Sequence, residues 1–270
     1  MGCGNAPQNT PAEEPADSLN LDSLEGVHAL SLSDGSRVIW LQDNEGEKLN
    51  SPDLFSDAPA GLIDSLGLSE GIPASVSTFL LQTDGKNILF DAGLGNMAHG
   101  QLLNRLASVG LGADQIDYLY LTHFHGDHIG GMLNGDELVF ANAEVYAGQV
   151  EYDAWMAMPE EQNALQKKTM EAYKDKLHLF QFNDTLPCGV VALDAIGHTP
   201  GHTAFQKGDL LVIGDLFHGL ALQENHTDIC SNYDMDKTQA AASRKRILDY
   251  AREHHLHMAG MHLPGPGFFE

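Results

Sequence analysis

The sequence predicts an α/β fold in which two β-sheets pack together, with helices on their outer faces, in one domain. Hairpin patterns come first along the chain, strands then alternate with helices, and no internal repeat is visible. The chain has 270 residues, of which 43% are hydrophobic and 28 are glycine, so it can form a large core and many tight turns. Layers of sheet and helix around one core account for this order of elements.

The first predicted elements are two β-hairpins. Residues 27–41 alternate between apolar and polar around the Asp34-Gly35 turn, and strands 77–81 and 87–90 flank a turn at residues 84–86. The second hairpin ends at Asp91, and residues 54–68 between the hairpins predict a short helix and a connecting loop.

Helices and strands alternate in the rest of the chain. Apolar residues at helical spacing predict a helix over 100–109, and the apolar run 116–121 predicts a buried strand that ends at Thr122-His123. Asp234 and Asp236 are capping candidates for the last helix. Further strands are predicted at 138–140, 144–147, 190–195, 203–206 and 210–213, and further helices at 159–177 and 237–254.

The balance of acidic and basic residues limits which kinds of molecule the protein can bind. The formal net charge is −24, which disfavours nucleic acids and anionic membrane surfaces and favours a neutral substrate. The 14 histidines equal Lys and Arg together in number, so a cation bound by imidazoles is the first site to look for.

Residues 1–20 predict a disordered tail, because they contain too little apolar surface to order themselves. The start Gly2-Cys3-Gly4-Asn5 resembles a bacterial lipoprotein after removal of its signal peptide, with Cys3 as the lipidation site. That interpretation predicts a periplasmic or membrane-anchored protein, and the alternative is a secreted protein with an ordinary N-terminus. The sequence has no run of about 18 apolar residues that would predict a membrane span.

The densest chemical motif is the segment that follows the buried strand at 116–121. His123, His125, Asp127 and His128 place four metal-ligand side chains within six residues. Imidazole and carboxylate suit zinc, and leaving so many polar groups at a buried strand end without a metal would be costly.

Three further segments bring candidate ligands to the same kind of position. His198 and His202 lie in a Gly-His-Thr-Pro-Gly-His turn, Asp215 follows the apolar strand 210–213, and His262 follows the apolar residues 258–261. Because strand ends meet at one rim of a fold, these residues predict one two-metal site.

With these motifs in this order, the chain resembles the metallo-β-lactamase superfamily. The resemblance implies a four-layer αβ/βα sandwich over residues 21–270, with a dinuclear metal site at the sheet edge. Asp91 would then orient a ligand histidine. The resemblance implies that His123, His125 and His198 hold one Zn²⁺, that Asp127, His128 and His262 hold the other, and that Asp215 bridges both.

The mechanism implied by two such metals is hydrolysis by a metal-bridging hydroxide. Asp127 would accept or relay a proton. His218 occupies the place where acyl-homoserine lactonases usually carry a tyrosine, and it would serve as a proton donor. We therefore expect Asp127 and His218 to be the catalytic side chains.

Within the superfamily, the segments around Asp215 and His262 look like the lactonase and methyl-parathion-hydrolase-like branch. This branch implies a zinc-dependent hydrolase of small neutral lactones or esters, including acyl-homoserine lactones, and promiscuously of organophosphate triesters. The alternatives are a β-lactamase-like amide hydrolase and a non-catalytic metal-binding lipoprotein, and a homodimer is possible. The predicted substrate-pocket residues are Phe124, Phe217, His218 and Leu220, with Tyr152, Trp155, Met156 and Met158 as an apolar lid.

Overall fold

The structure is a computed structural model and describes residues 21–270. The predicted N-terminal tail and its candidate lipidation site at Cys3 lie outside the described residues. Among the helices of residues 21–270, none is both long enough and apolar enough to cross a membrane.

The strands and helices follow one another in the predicted general order. The strands are β1 (Val27–Ser31), β2 (Arg37–Gln42), β3 (Lys48–Asn50), β4 (Ile72–Ala74), β5 (Ser77–Thr83), β6 (Lys86–Phe90), β7 (Tyr118–Tyr120), β8 (Leu133–Asn134), β9 (Glu137–Leu138), β10 (Glu144–Gly148), β11 (Leu177–Phe180), β12 (Thr185–Leu186), β13 (Val190–Asp194), β14 (Thr203–Lys207), β15 (Leu210–Gly214), β16 (His257–Gly260) and β17 (Phe268–Phe269). The helices are α1 (Leu62–Ser65), α2 (Leu102–Ser108), α3 (Gly126–Ile129), α4 (Gln149–Met156), α5 (Glu160–Ala172), α6 (Leu220–Gln223) and α7 (Lys237–His254).

Two large sheets organise the described chain. The first has seven strands in the order β1-β2-β5-β6-β7-β10-β11, antiparallel up to β6 and parallel from β6 onward. The second has six strands in the order β12-β13-β14-β15-β16-β17, with one parallel pair, β15 and β16. Two-stranded ribbons pair β3 with β4 and β8 with β9.

Alternation along the strands separates the hydrophobic core into layers. On β2, Val38 packs between the two sheets, whereas Ile39 packs on the outer face of the first sheet. On β15, Val212 packs between the sheets and Ile213 packs on the outer face of the second sheet, with Ile247 of α7. The order helix, sheet, sheet, helix confirms the predicted four-layer sandwich.

The structure confirms the predicted bounds of the last helix, α7. Asp236 accepts a hydrogen bond from the backbone N–H of Gln239 at 3.0 Å and so caps α7. The prediction that Asp234 is also a cap was wrong, because this side chain points into the candidate site described below.

Two other predicted elements differ from the structure. The helix expected at 159–177 ends at Ala172, and residues from Leu177 join the first sheet as β11, parallel to β10. The strand expected at 138–140 is reduced to Glu137–Leu138, because the backbone N–H of Phe140 donates to the Tyr173 hydroxyl at 3.1 Å rather than to a strand.

Candidate metal centre

The candidate site lies at one edge of the two sheets, where several strands end. His123 follows β7, His198 lies in the loop between β13 and β14, and Asp215 and His262 follow β15 and β16. Because β14 runs antiparallel to β13 and β15, the loop after β13 lies at the edge where β15 ends. The topology therefore brings residues that are distant in the sequence to one rim.

A first group of ligand atoms is formed by His123, His125, His198 and Asp215. Nδ1 of His125 lies 3.1 Å from Nε2 of His123 and 2.9 Å from Nε2 of His198. Oδ2 of Asp215 lies 3.2 Å from Nε2 of His198. One ligand atom from each of the four residues lies within 4.8 Å of the others, which is close enough to surround one ion.

A second group is formed by Asp127, His128 and His262, whose ligand atoms also lie within 4.8 Å of one another. Nε2 of His262 lies 3.4 Å from Oδ2 of Asp127 and 3.0 Å from Oδ2 of Asp215. Oδ1 of Asp215 lies 3.1 Å from Nε2 of His128. Asp215 therefore faces both groups, and all seven predicted ligands lie together.

The residues present fit a pair of divalent cations. Although His128 Nε2 and Asp215 Oδ1 lie 3.1 Å apart, these buried atoms form no hydrogen bond with each other or with another atom of residues 21–270, and such atoms are expensive to bury unpaired. A cation between them would satisfy both. Zinc binds readily to imidazole nitrogens and carboxylate oxygens, and other divalent metals also bind to these ligands.

Burial keeps part of the histidine cluster in the neutral form that metals need. Burial, assisted by His198, lowers the pKa of His125 to about 3. At His262 burial acts in the opposite sense to the Asp215 and Asp127 carboxylates, and the carboxylates raise its pKa to about 10. The carboxylates thus draw positive charge into the site, and metal cations would supply it in place of protons.

Asp91 fixes the orientation of His128 and of the segment that carries the motif. Its Oδ2 lies 2.8 Å from Nδ1 of His128, so the Nε2 atom of that ring faces the second group. The Asp91 carboxylate also accepts from the backbone N–H and the hydroxyl of Thr122, at 2.8 and 2.7 Å. Asp91 has a φ of 63°, a left-handed conformation that directs the chain sharply out of β6.

Asp234 has the equivalent role for His198. Its Oδ1 lies 3.0 Å from Nδ1 of His198, and its Oδ2 accepts from Nη2 of Arg244 at 3.2 Å. The Arg244 side chain is buried and also donates to three backbone carbonyls, so the ion pair is rigidly held. The sequence analysis missed this role because α7 offered a simpler one, that of a helix cap.

Glu151 is a second buried carboxylate that the sequence analysis missed. It accepts from the backbone N–H of Phe124 and of Gly201 at 2.9 and 2.8 Å, and from Nε1 of Trp155 and the hydroxyl of Thr199 at 2.7 and 2.8 Å. The bonds from Phe124, Thr199 and Gly201 join the loop that carries His123 and His125 to the loop that carries His198, whereas the bond from Trp155 lies within α4.

A cavity of about 510 Å³ opens over the metal centre. Of the predicted pocket residues only His218 lines it. Phe124 and Trp155 are buried in the outer core of the first sheet, where Tyr152, Met156 and Met158 also pack, and Phe217 and Leu220 pack beside α7. The predicted apolar lid was therefore wrong, since these side chains form core. The walls beyond the ligands are formed by Lys48, Asn50, Val76, Leu94, Gly126 and Tyr233.

His218 and His202 are the other two histidines that the sequence motifs singled out, and they differ in how they face the ligand groups. Nε2 of His218 lies 3.2 Å from Oδ2 of Asp215, its buried Nδ1 has no hydrogen-bond partner in the described part of the chain, and burial lowers its pKa to about 4. His202 points away from the ligand groups: Nδ1 bonds the Ala195 carbonyl at 2.9 Å, and Nε2 accepts from the backbone N–H of Asp215 at 3.0 Å. His202 thus supports Asp215 from behind.

Fold, motif order and site together define a family. A model of the metallo-beta-lactamase superfamily matches residues 71–252, and the chain belongs to this superfamily. The chain is a hydrolase of that superfamily with lactonase homologues, as the sequence analysis predicted.

Solved structures and curated proteins that resemble the chain include lactonases and another hydrolase. The chain is similar to a dizinc quorum-quenching lactonase, AidC, solved with a product N-hexanoyl-L-homoserine, at 26% identity and a TM-score of 0.82 over 90% of this chain and 92% of that one. It is similar to the hydrolase AbOPH of the beta lactamase superfamily, at 26% identity and a TM-score of 0.80 over 91% and 93% of the two chains.

Among curated proteins, an N-acyl homoserine lactonase of Bacillus thuringiensis is 27% identical over 65% of this chain and 76% of its own length. A ribonuclease Z of Nanoarchaeum equitans is 52% identical, but over only 18% of this chain and 13% of its own length. The ribonuclease match is thus a short segment, whereas the lactonase match spans most of both proteins.

Proposed function

We propose that this protein is a two-zinc hydrolase that opens lactone rings, with N-acyl homoserine lactones as the leading substrate class. The observation that carries the proposal is the pair of ligand groups that share Asp215, at the floor of a cavity large enough for a small molecule. The similarity to lactonases along most of the chain supports this substrate class.

Each of the two ligand groups would hold one metal ion, and Asp215 would contact both ions. Bound zinc supplies Lewis-acid chemistry that polarises a carbonyl and makes water more acidic. Asp127 borders the cavity with 30% of its side chain exposed, so its carboxylate is accessible as a proton acceptor. The pKa of Asp127 lies below its usual range, because the attraction of His128 and His262 outweighs the effect of burial, so the side chain is ionised.

His218 is the second side chain proposed to act on the substrate. It lines the cavity as a neutral imidazole, which has one N–H to donate. Asn50 holds the backbone of this residue by donating from Nδ2 to the His218 carbonyl at 2.7 Å, and Gln223 accepts from its backbone N–H at 2.8 Å. These two bonds fix the backbone of His218 at the cavity wall, and we propose that its ring hydrogen-bonds the oxygen of a substrate or leaving group.

A substrate panel tests the proposal. Zinc-loaded protein is assayed with an N-acyl homoserine lactone, dihydrocoumarin, an aryl ester, methyl paraoxon and nitrocefin, each with and without chelator. We expect chelator-sensitive opening of the lactones, with weaker turnover of the ester and the phosphotriester. Turnover of nitrocefin alone would indicate an amide hydrolase instead of a lactonase. Bound zinc without turnover of any substrate would indicate a non-catalytic metal-binding protein.

A further inference from the structure

Two polar residues of β3, in the small ribbon formed by β3 and β4, line the cavity. Because alternate residues of a strand share a face, Lys48 and Asn50 lie on one side of β3, and Leu49 lies on the other with 58% of its surface exposed. Lys48 and Asn50 both line the cavity.

The ribbon is tied to the metal centre at two points. Asn50 donates from Nδ2 to the carbonyl of His218 at 2.7 Å. Directly after β4, the carbonyl of Ser75 accepts from Nδ1 of His262 at 2.9 Å. These two bonds therefore fix the ribbon, and with it the backbone of Lys48, relative to the metal centre.

Lys48 is half-buried and retains hydrogen-bonding capacity. In the described chain, it is the one Lys or Arg among the residues that line this cavity. Its Nζ donates to the neutral amide oxygen of Asn50, which leaves two further N–H donors. Burial lowers the pKa of Lys48 and the Asp127 carboxylate opposes this shift, but an ammonium and an amine both carry N–H donors.

We propose that Lys48 binds the amide oxygen of an N-acylated lactone and thereby selects this substrate class over lactones without an acylamide group. The inference rests on the proposed lactonase function and adds a specificity-determining residue to it. The scissile ester must face the metal centre, so a donor on another wall requires a second oxygen acceptor in the substrate. A neutral amide oxygen meets this requirement without opposing the acidic surface of the protein.

The remaining walls suit the acyl chain attached to that amide. Val76 and Leu94 are apolar lining residues, and Tyr233 stands at the rim with 60% of its surface exposed. An acyl chain that leaves the amide can therefore pass along apolar side chains toward solvent.

The test compares two lactones that differ in the acylamide. For N-hexanoyl-homoserine lactone and γ-butyrolactone, kcat/KM is measured with wild-type protein, Lys48→Met, Lys48→Ala and Lys48→Arg. We expect Lys48→Met to reduce kcat/KM for the acylated lactone by about 10- to 100-fold, mainly through KM, because the amide oxygen of the bound substrate loses its donor. The loss for γ-butyrolactone should be at least about tenfold smaller, and Lys48→Arg should restore part of the difference.

A matched control and a binding measurement accompany the kinetics. Lys168→Met removes an exposed lysine that pairs with Asp136 away from the cavity, and it should leave both substrates unaffected. Calorimetry with the ring-opened products should show the same selectivity: Lys48→Met weakens binding of N-hexanoyl-homoserine more than binding of 4-hydroxybutyrate. Zinc content and melting temperature verify that each variant is folded and loaded.

The outcomes separate the two proposals. If wild-type protein opens both lactones, and Lys48→Met and Lys48→Ala either reduce kcat/KM equally for the two lactones or do not reduce it, the role of Lys48 is overturned and the lactonase proposal stays intact. If wild-type protein opened neither lactone, the lactonase proposal and the role of Lys48 would both be rejected.

Discussion

Asp215 is the residue on which the metal centre depends, because its carboxylate faces both ligand groups. Oδ1 lies 3.1 Å from His128, whereas Oδ2 lies 3.0 Å from His262 and 3.2 Å from His198. The backbone N–H of Asp215 is held by His202 at 3.0 Å. A change at this side chain should therefore affect both metal positions, unlike a change at a ligand of one group.

Substitution of Asp215 or of His123 should lower the metal content together with the rate. We expect Asp215→Asn to lose zinc from both positions and His123→Ala to lose it mainly from one, because the remaining ligands cannot replace the missing donor. Elemental analysis after dialysis measures the zinc. Asp249→Asn and His178→Ala, at exposed positions, are the matched controls, and full zinc content in both site variants would show that the ligand assignment is wrong.

Glu151 should be required for stability although it lies outside the ligand groups. Glu151→Ala leaves four donors without their acceptor, two of them backbone N–H groups in the metal-binding loops. We expect the free energy of unfolding to fall by at least ~3 kcal/mol, since each buried donor left unsatisfied costs about 1–3 kcal/mol.

Chemical denaturation of the metal-free protein measures this loss without a contribution from bound zinc. Glu161→Ala, at an exposed position on α5, should change the free energy of unfolding by less than ~0.5 kcal/mol. Equal stability of the two variants would mean that the four bonds of Glu151 contribute nothing.

Residue-scale prediction succeeded where the chemistry was local in sequence. The motif from His123 to His128 places four ligand side chains within six residues, and it indicates a metal without any knowledge of the fold. Lys48, Glu151 and Asp234 carry no such pattern, because each is a single polar residue that meets the site through segments distant in the chain. Their roles depend on tertiary contacts.

At the scale of elements, α7 was predictable because its start is encoded locally. Asp236 supplies a side-chain acceptor to the first turn, and buried residues recur along one face up to Ala251. By contrast, β11 is short and begins soon after α5, so its pairing with β10 rather than its sequence determines its conformation. The ribbon of β3 and β4 was missed for the same reason.

The cap of α7 gives a prediction at this scale. Asp236→Ala should reduce the free energy of unfolding by about 1 kcal/mol, because it removes the acceptor of the Gln239 N–H group. Thermal or chemical denaturation measures the change. Asp249→Ala on the same helix, where the aspartate only pairs with Lys245 at the surface, should have a smaller effect. A larger loss in Asp249→Ala would contradict the capping role.

At the scale of the whole molecule, the net charge of −24 surrounds a site proposed to hold two dications. Hydrolysis of a neutral lactone forms an anionic acid, which the acidic surface should repel over distances comparable to the Debye length, about 10 Å at 0.1 M salt. The charge therefore acts on the product more than on the substrate.

Product inhibition should consequently become stronger as salt is added. We expect the inhibition constant of the ring-opened acid to fall as ionic strength rises, while KM of the neutral lactone stays nearly constant, because screening weakens repulsion of the anion alone. Initial rates at several concentrations of product and salt measure both constants. An inhibition constant independent of ionic strength would remove this role of the surface charge.

We propose that the two ligand groups together form one two-zinc centre that opens lactones. Its most direct test is a titration of metal-free protein with zinc, with the opening of N-hexanoyl-homoserine lactone followed at each step. We expect no turnover without zinc and a rise that reaches its plateau at about two equivalents per chain. Full turnover by metal-free protein, or no turnover at any zinc level, would contradict it.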